Sequence, residues 1–305
     1  GTIGRGVGTG TSSLLAVGNL AGIAAATGVE SGVLFSYTLG QGLDLQLAGN
    51  LSYLAKSALA EANSLSVERV EIKIAKLQKK LDGLRIVHLS DIHHSPFTSL
   101  EHINRAIEAA NRLKPQLVLL TGDYVSHDRI YISPVAKALG ELRSEFGTYA
   151  CLGNHDHWTD PGDVTAQFGD HGIDVLINRG FRLDAGGASF WLCGVDDYMV
   201  GKSDLKSALH GSFPDEMKLL LAHNPVLVRH AARRGIDLVL SGHTHGGQVK
   251  LRQDENRILP KRRLSAGLHR RKETQIYITR GIGTVVVPFR YQCPPEISVI
   301  ELRST

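Results

Sequence analysis

The sequence has few cysteines and no arrangement of them that defines a site. Its 305 residues include three cysteines, at positions 151, 193 and 293, and no C-x-x-C pair. This count excludes a disulfide framework and a thiolate metal site. The sequence also lacks the G-x-S-x-G turn that a serine hydrolase of the common α/β type would need. Gly281-x-Gly283 lacks the third glycine of a dinucleotide-binding fingerprint, so that class is excluded as well.

Charged residues are missing from much of the first 65 positions. The chain carries no charge between Arg5 and Glu30, and a second uncharged run covers residues 31–43. Glycine, serine, asparagine and threonine dilute both runs, so neither has the composition of a convincing membrane-spanning helix. We interpret residues 1–65 as a segment for export or membrane anchoring, with a small-residue helical hairpin or linker as the alternative. Residues 66–305 then form the main domain.

The rest of the chain has an ordinary globular composition and alternates strands with helices. Apolar residues make up 42% and charged residues 21%, and the formal net charge of +4 is compatible with an anionic substrate or surface without requiring one. Residues 67–74 alternate as an exposed edge strand does. Buried strands are predicted at 84–88, 117–121, 148–152, 218–222 and 237–240, and helices at 99–113, 135–146 and 226–234. Shorter strands are predicted at 175–177, 181–183, 189–195, 275–279 and 297–302. This alternation predicts an α/β domain.

Five short polar motifs each follow one of these apolar strands. They are Asp91-x-His93, Gly122-Asp123, Gly153-Asn154-His155-Asp156, Ala222-His223 and Gly242-His243-Thr244-His245. Ligands bind at the carboxyl ends of strands in open α/β sheets, so five strand ends can converge on one crevice. Carboxylate, amide and imidazole groups suit divalent Mn, Fe, Zn, Co or Ni, whereas Ca²⁺ would take oxygens only. Seven candidate ligands fit two ions, which about 3.5–4 Å apart can clamp the attacking and leaving oxygens of a phosphoryl displacement.

In this order the motifs resemble those of the calcineurin-like metallophosphoesterases, over residues 84–302. The resemblance implies a four-layer α/β/β/α sandwich with a dinuclear metal site. Carried over residue by residue, it assigns the first metal to Asp91, His93 and His245, the second to Asn154, His223 and His243, and a bridging position to Asp123.

The same resemblance, together with the neighbourhood of the ligands, names further site residues. His155 matches the family's histidine that contacts the substrate phosphate and protonates the leaving group. Asp156 is expected to orient its ring. His127 lies beside the ligands in sequence and is expected to contact substrate, as is Arg290 through an anionic head group. For His127 the alternative is a solvated loop position.

The C-terminal part of the chain narrows the resemblance to one branch of this family. The run GHTHGGQ and residues 279–302 are similar to a bacterial branch of membrane-associated phosphodiesterases, which includes the UDP-diacylglucosamine pyrophosphatases of lipid A synthesis. This implies a phosphodiester or pyrophosphate bond, in a lipid or lipid precursor, as substrate. It also implies a membrane-associated or exported protein of a bacterium, with a peripheral position on the cytoplasmic membrane as the alternative.

Two segments bear on that membrane relation. Residues 250–272 are rich in Lys and Arg and could face an anionic lipid surface. The alternative is that they form a solvated loop. Residues 285–289, VVVPF, could form an apolar lip beside the metals or an ordinary buried strand. No nucleic-acid partner is expected, because aromatic residues are not interleaved with the basic ones. The oligomeric state has no signal in the sequence.

Other functions with the same core stay open at the level of sequence. One is a phosphomonoesterase or a nuclease with the same metal ligands. Another is a metal-bound scaffold without catalysis, as occurs in trafficking relatives of the superfamily. The complete ligand set and the presence of His155 favour an enzyme.

Overall fold

The computed structural model describes residues 45–249 and 264–305. The uncharged runs within residues 1–44 and most of the basic segment, residues 250–263, lie outside the described residues. The chain divides between Ser57 and Ala58, and the unit Ala58–Thr305 contains both sheets. The predicted boundary at residue 65 stays a prediction. Among the described helices, none combines the length and the hydropathy of a membrane span.

The described residues form seven α-helices and twelve strands, which alternate through much of the chain. The helices are α1 (Leu45–Ala62), α2 (Leu100–Arg112), α3 (Ile132–Leu139), α4 (Asn154–Thr159), α5 (Pro161–Asp170), α6 (Leu205–Ala208) and α7 (Val228–Ala231). The strands are β1 (Ser66–Ile74), β2 (Arg85–Leu89), β3 (Leu117–Thr121), β4 (Thr148–Cys151), β5 (Ile173–Val175), β6 (Arg179–Asp184), β7 (Ser189–Gly194), β8 (Lys218–Leu221), β9 (Leu238–Ser241), β10 (Gly267–Arg271), β11 (Thr274–Ile278) and β12 (Glu296–Ser304).

The strands form two six-stranded mixed sheets. The first has the order β1-β12-β2-β3-β4-β5, in which β2 to β5 are parallel and β12 runs antiparallel to β2. The second has the order β10-β11-β9-β8-β7-β6, in which β11, β9, β8 and β7 are parallel. The predicted edge strand is β1, and the predicted hairpin at Gly186-Gly187 joins the antiparallel pair β6 and β7. Parallel neighbours bring the carboxyl ends of β2, β3 and β4 to one edge and those of β8 and β9 to one edge of the other sheet.

Strand β3 shows how the two sheets build the core. All five of its residues are buried, because side chains of a strand alternate between faces and both faces of this sheet are covered. Leu117 and Leu119 pack between the sheets with Leu219 and Leu240 of the second sheet. Val118 and Leu120 point the other way, into a cluster that includes Ile103 of α2.

A helical layer covers the outer face of each sheet. Helices α2, α3 and α5 pack on the first sheet, where their buried residues include Ile107, Val135 and Phe168. Helices α6 and α7 pack on the second sheet, and Leu205 and Ala231 lie in that cluster. The order of layers is therefore helix, sheet, sheet, helix. This confirms the predicted α/β/β/α sandwich.

Two helices differ from their predicted bounds for local reasons. Helix α3 covers Ile132–Leu139 instead of residues 135–146, and its C-cap is Gly140, a residue of low helix propensity. The predicted helix at 226–234 is a 3₁₀ turn, Pro225–Leu227, followed by the single turn of α7. The side chain of Asn224 accepts the Val226 N–H at 3.1 Å and fixes the start of that turn.

Candidate metal centre

The five polar motifs lie at the carboxyl ends of β2, β3, β4, β8 and β9, as the sequence predicts. Most of their candidate ligands have a left-handed backbone, with φ of 51° at Asp91, 49° at His93, 57° at Asp123, 69° at His243 and 49° at His245. For a non-glycine residue this conformation costs about 1–3 kcal/mol, and such residues cluster at functional sites. The chain leaves each strand sharply here, which turns the side chains toward one another.

The first group of donors consists of Asp91, His93 and His245, all buried. The two imidazoles stack with ring centroids 4.9 Å apart, and their Nε2 atoms are 3.1 Å from each other. The Nε2 atom of His245 lies 3.3 Å from Asp91 Oδ1. Burial lowers the pKa of His93 to about 3, so its ring is neutral and can offer a lone pair to a cation.

The second group of donors consists of Asp123, His223 and His243. His223 Nε2 lies 3.2 Å from Asp123 Oδ2 and 3.2 Å from His243 Nδ1. The other ring nitrogen of His223 donates to the Thr121 carbonyl oxygen at 2.6 Å, which orients Nε2 toward the group.

Asp123 belongs to both sides of the site. Its Oδ2 atom also lies 3.5 Å from Nε2 of His93, so one carboxylate oxygen faces a histidine of each group. Although burial disfavours the ionised form, the attraction of His223 lowers the pKa of Asp123 below its usual range. Burial opposes the charged form of His223 too, but Asp123 raises its pKa to about 10.

Asn154 is the last of the seven candidate ligands and begins α4 shortly after β4. It is buried, and within the described part of the chain its side-chain oxygen Oδ1 has no hydrogen-bond partner. A buried unpaired carbonyl costs about 1–3 kcal/mol, a cost that a cation would remove. This orphaned oxygen, together with two groups of histidine and carboxylate donors, fits a pair of divalent ions.

Asp156 corrects one prediction. Its carboxylate does not orient the ring of His155 but accepts three backbone N–H groups, those of Asp123 and Gly153 through Oδ2 and that of Tyr124 through Oδ1, each at 2.8 Å. Burial, followed by repulsion from Asp123, raises the pKa of Asp156 to about 7. Asp156 thus ties the β3 motif to the β4 motif through their backbones.

His155 is held by a partner that sequence reasoning missed. Its Nδ1 donates to the carbonyl oxygen of Ser126 at 2.8 Å, and its backbone N–H donates to Asp123 Oδ1 at 2.8 Å. A backbone carbonyl has no sequence signature, so no motif could have identified Ser126. The His155 ring packs edge-on against His93, with centroids 4.7 Å apart, which places it beside both donor groups.

Two exposed rings flank His155. His127, predicted to contact substrate, is exposed and has its ring centroid 5.0 Å from that of His155. Trp158, which sequence reasoning missed, lies at 4.7 Å from His155. Its position three residues after His155 in α4 was the available signal, since residues i and i+3 share a helix face.

Arg290 corrects a second prediction. The residue is fully buried, and its guanidinium donates to the carbonyl oxygens of Arg280, Gly281, Gly283 and Cys293. It also lies 3.4 Å from His245 Nδ1. A guanidinium with this many backbone acceptors is not free to bind an anionic head group. It shapes the loop that packs behind His245.

A close approach of backbones explains one glycine of the motifs. Gly122 has φ of 88°, and a Cβ there would lie 2.5 Å from the Gly153 nitrogen and 2.9 Å from His223 Nδ1. Side chains cannot occupy that space, so the β3 and β4 motifs meet only because residue 122 has none.

Comparison with known proteins agrees with this geometry. Residues 84–247 match the family model of the calcineurin-like phosphoesterases. A bovine transmembrane protein with a metallophosphoesterase domain is 33% identical over 264 residues, which are 81% of this chain and 59% of that protein. The chain therefore spans little more than half of that relative.

Two bacterial relatives are matched over most of their length. Metallophosphoesterase YkuE of Bacillus subtilis is 30% identical over 251 residues, covering 80% of this chain and 88% of the relative. Phosphodiesterase YaeI of Escherichia coli is 33% identical over 241 residues, which cover 77% of this chain and 88% of the relative. The predicted family and the predicted pair of divalent metals are confirmed for this domain. The chain belongs to the calcineurin-like phosphoesterases, a family of metal-dependent phosphoric ester hydrolases with a dinuclear centre.

Proposed function

We propose that this chain hydrolyses a phosphodiester or pyrophosphate bond with the aid of two divalent ions. The observation that carries the proposal is the Asp123 carboxylate, whose Oδ2 atom faces a histidine of each donor group beside His155. A diester as substrate is supported by the Escherichia coli relative, which is named a phosphodiesterase. A phosphomonoesterase or nuclease remains the runner-up among enzymes.

The residues divide into two metal-binding sets. In this proposal Asp91, His93 and His245 hold one ion, and Asn154, His223 and His243 hold the other, with Asp123 shared between them. Ions bound there would lower the pKa of a water and neutralise charge on the phosphoryl oxygens. Mn²⁺ is one of the ions we would test, because the carboxylate and carbonyl donors suit it, whereas the imidazoles suit Fe²⁺, Zn²⁺ and Ni²⁺.

His155 is proposed to protonate the leaving oxygen. Its Nδ1 is committed to the Ser126 carbonyl, so Nε2 is the ring nitrogen that can exchange a proton with substrate. His127 is proposed to contact the same part of the substrate, since its exposed ring lies next to that of His155. Asp156 acts on these groups indirectly, by holding the backbone of Asp123 and Tyr124 in place.

An assay of substrate classes tests the proposal. Purified full chain would be loaded with Mn²⁺, Fe²⁺, Zn²⁺, Co²⁺ or Ni²⁺ and given a diester, a monoester and a pyrophosphate of the same alcohol. We expect the diester or the pyrophosphate to be cleaved with the highest kcat/KM. Preference for the monoester would favour the runner-up. Absence of hydrolysis with two ions bound would favour a non-catalytic scaffold.

A lipid or lipid precursor is the substrate we propose, on the basis of apolar side chains near the site. Residues 285–287 form a turn instead of a buried strand, and Val286 at its tip is 87% exposed. The side chain of Gln248, three residues after His245, donates to the carbonyls of Val285 and Val287 at 3.0 Å and holds this turn.

Phe97 extends the apolar rim. The Phe97 side chain is 54% exposed. Its neighbour Thr98 accepts the Thr284 N–H at 3.3 Å through Oγ1, and this hydrogen bond brings the segment that carries Phe97 next to the segment that leads into the Val286 turn. Exposed apolar side chains at the mouth of a site are typical of surfaces that meet lipid or another protein. The basic residues 250–263 adjoin Gln248 in sequence and would add attraction to anionic lipid.

Vesicle binding tests this finer proposal. The full chain is expected to sediment with vesicles rich in anionic lipid, less so at high salt because surface charges are screened. Val286→Ser and Phe97→Ser together should weaken that binding while cleavage of a small soluble diester stays near the wild-type rate. A wild-type protein that ignores such vesicles at low salt would exclude the lipid surface and favour a soluble substrate.

A further inference from the structure

Trp158 is an exposed indole at the edge of the metal centre. It is 53% exposed, whereas the second of the chain's two tryptophans, Trp191, is 5% exposed and donates to the Ala208 carbonyl at 3.0 Å. Burial of a large aromatic side chain stabilises a protein, and an exposed indole does not make that contribution. Trp158 can make that contribution only when an apolar group covers it.

Two further rings lie next to the ring of His155. The ring centroids of Trp158 and His155 are 4.7 Å apart, with an interplanar angle of 66°. Those of His127 and His155 are 5.0 Å apart, with an interplanar angle of 48°. His155 is therefore flanked by two exposed rings. A group that departs beside His155 would therefore pass close to exposed aromatic surface.

The helix that carries Trp158 is fixed at several points. The Asp156 carboxylate accepts the Gly153 N–H, and Thr159 Oγ1 donates to the His155 carbonyl at 2.9 Å. His157 lies 2.6 Å from Asp196 Oδ1 through Nε2, which ties α4 to the loop that follows β7. The backbone that carries the indole is consequently held in place, which lowers the ordering that a ligand stacking on it must complete.

We propose that Trp158 determines specificity by stacking on a flat apolar leaving group of the substrate. The inference rests on the proposed function, because the group that His155 protonates is the one that departs beside the indole. In that step the oxygen of a water forms a new P–O bond and the water loses a proton to solvent, while the ester P–O bond breaks with its electron pair on the leaving oxygen. His155 gives that oxygen a proton and regains one from solvent. Trp158 takes no part in the bond changes and acts as a specificity residue.

A pair of diesters tests the inference by kinetics. Phenyl methyl phosphate and 1-naphthyl methyl phosphate have leaving groups of similar acidity and different flat area. Wild-type protein should favour the naphthyl ester in kcat/KM, and Trp158→Ala should reduce that preference about 2- to 10-fold, the range for an aromatic pair. Trp158→Phe should restore part of it. An unchanged preference in Trp158→Ala overturns the inference.

A binding measurement separates this inference from the proposed function. Naphthylmethylphosphonate and methylphosphonate carry P–C bonds that the enzyme cannot hydrolyse, so calorimetry of the metal-loaded protein gives their Kd values directly. The advantage of the naphthyl ligand should fall in Trp158→Ala by the same factor as the kinetic preference. Loss of that advantage without any ester hydrolysis in wild type would reject the proposed function and leave Trp158 only as a stacking site for flat ligands, which overturns its role toward a leaving group. Hydrolysis by the wild type, together with an equal advantage of the naphthyl ligand in Trp158→Ala, would keep the proposed function and overturn the inference.

A matched control is available elsewhere on the surface. Phe213 is 60% exposed and packs under Arg182 near the start of β8, at the strand's amino end, away from the metal centre at its carboxyl end. Phe213→Ala removes an exposed aromatic ring of comparable kind and should leave both the kinetic preference and the ligand affinities unchanged. An equal effect of Phe213→Ala would mean that Trp158 acts through general surface properties, which overturns the inference.

Discussion

The carboxylate of Asp156 accepts the backbone N–H of Asp123 at 2.8 Å, so one buried carboxylate fixes the main chain that carries another. The two charges repel, which contributes to the raised pKa of Asp156. Ions bound beside Asp123 would offset that repulsion. The arrangement makes Asp156 a structural support of the site.

Removal of this support should be costly. Asp156→Ala would leave three backbone N–H groups without their acceptor, at about 1–3 kcal/mol each, so we expect the free energy of unfolding to fall by about 3–9 kcal/mol. Asp156→Asn retains an acceptor oxygen and should lose less. Urea denaturation of both variants measures the effect. Glu101→Ala, whose side chain is 82% exposed, is the control, and a loss no larger than the control's would contradict the role of Asp156.

Asp123→Asn should weaken the binding of both ions together. One carboxylate faces both donor groups, so loss of its charge is expected to reduce affinity for each ion by about 100-fold or more. Elemental analysis after dialysis and calorimetric titration give the two stoichiometries. Glu108→Gln removes a carboxylate whose side chain is 68% exposed and should leave two ions bound. Retention of one tight ion in Asp123→Asn would show that the carboxylate is not shared.

His155→Ala should lower turnover by about 10²–10⁴, the usual contribution of a positioned proton donor, with both metals still bound. The loss should be smaller for nitrophenyl esters, because a good leaving group needs little protonation. Steady-state kinetics over a series of leaving groups measures this dependence. His210→Ala changes an exposed histidine after α6 and serves as the control. A loss that is equal for good and poor leaving groups would assign His155 to charge stabilisation alone.

Metal binding should release protons and weaken as the pH falls. In the metal-free protein Asp123 raises the pKa of His223 to about 10, and a metal ligand must be deprotonated. The apparent Kd should therefore rise from pH 8 to pH 6, by up to about tenfold per pH unit for each proton released. Calorimetry in two buffers of different ionisation enthalpy counts the protons. Uptake of ions without proton release would contradict the charged state of His223.

The interaction of His223 with Asp123 should make the metal-free protein less stable as the pH rises. The pKa of His223 is raised above its ordinary value of 6.5, so its contribution to stability is fully present below pH 6.5 and is lost as the pH rises toward 10. Thermal unfolding in chelator at several pH values measures this trend. A difference between wild type and His223→Ala that grows with pH would contradict it.

The strands were predictable because their burial leaves a pattern in the sequence. Leu117 to Leu120 are apolar without alternation, which is typical of a strand covered on both faces, and both faces are covered. Ser99 was predicted to begin α2, and its hydroxyl accepts the His102 N–H at 3.3 Å. The clustering of the candidate ligands was predictable because polar residues at the carboxyl ends of neighbouring parallel strands meet at one edge of the sheet.

What sequence reasoning missed depends on backbone atoms and on burial. Arg290 was expected to lie near an anionic head group because it follows the apolar run 285–289, yet the carbonyl groups of a loop surround its guanidinium. Asp156 was expected to bind a side chain, but it binds backbone N–H groups. Every residue carries such groups, so no spacing of residue types reveals which of them converge on a charge.

The seven candidate ligands come from both sheets, and this has a consequence for the lifetime of the protein. Asp91 and Asp123 follow strands of the first sheet, whereas His223 and His243 follow strands of the second. Ions held between them act as cross-links between segments far apart in sequence, and each adds about 2.7 kcal/mol to the folded state when its concentration is 100 times its Kd. In a cell short of such metals the protein would unfold more often, and proteases would remove it. Its abundance would then report the metal supply.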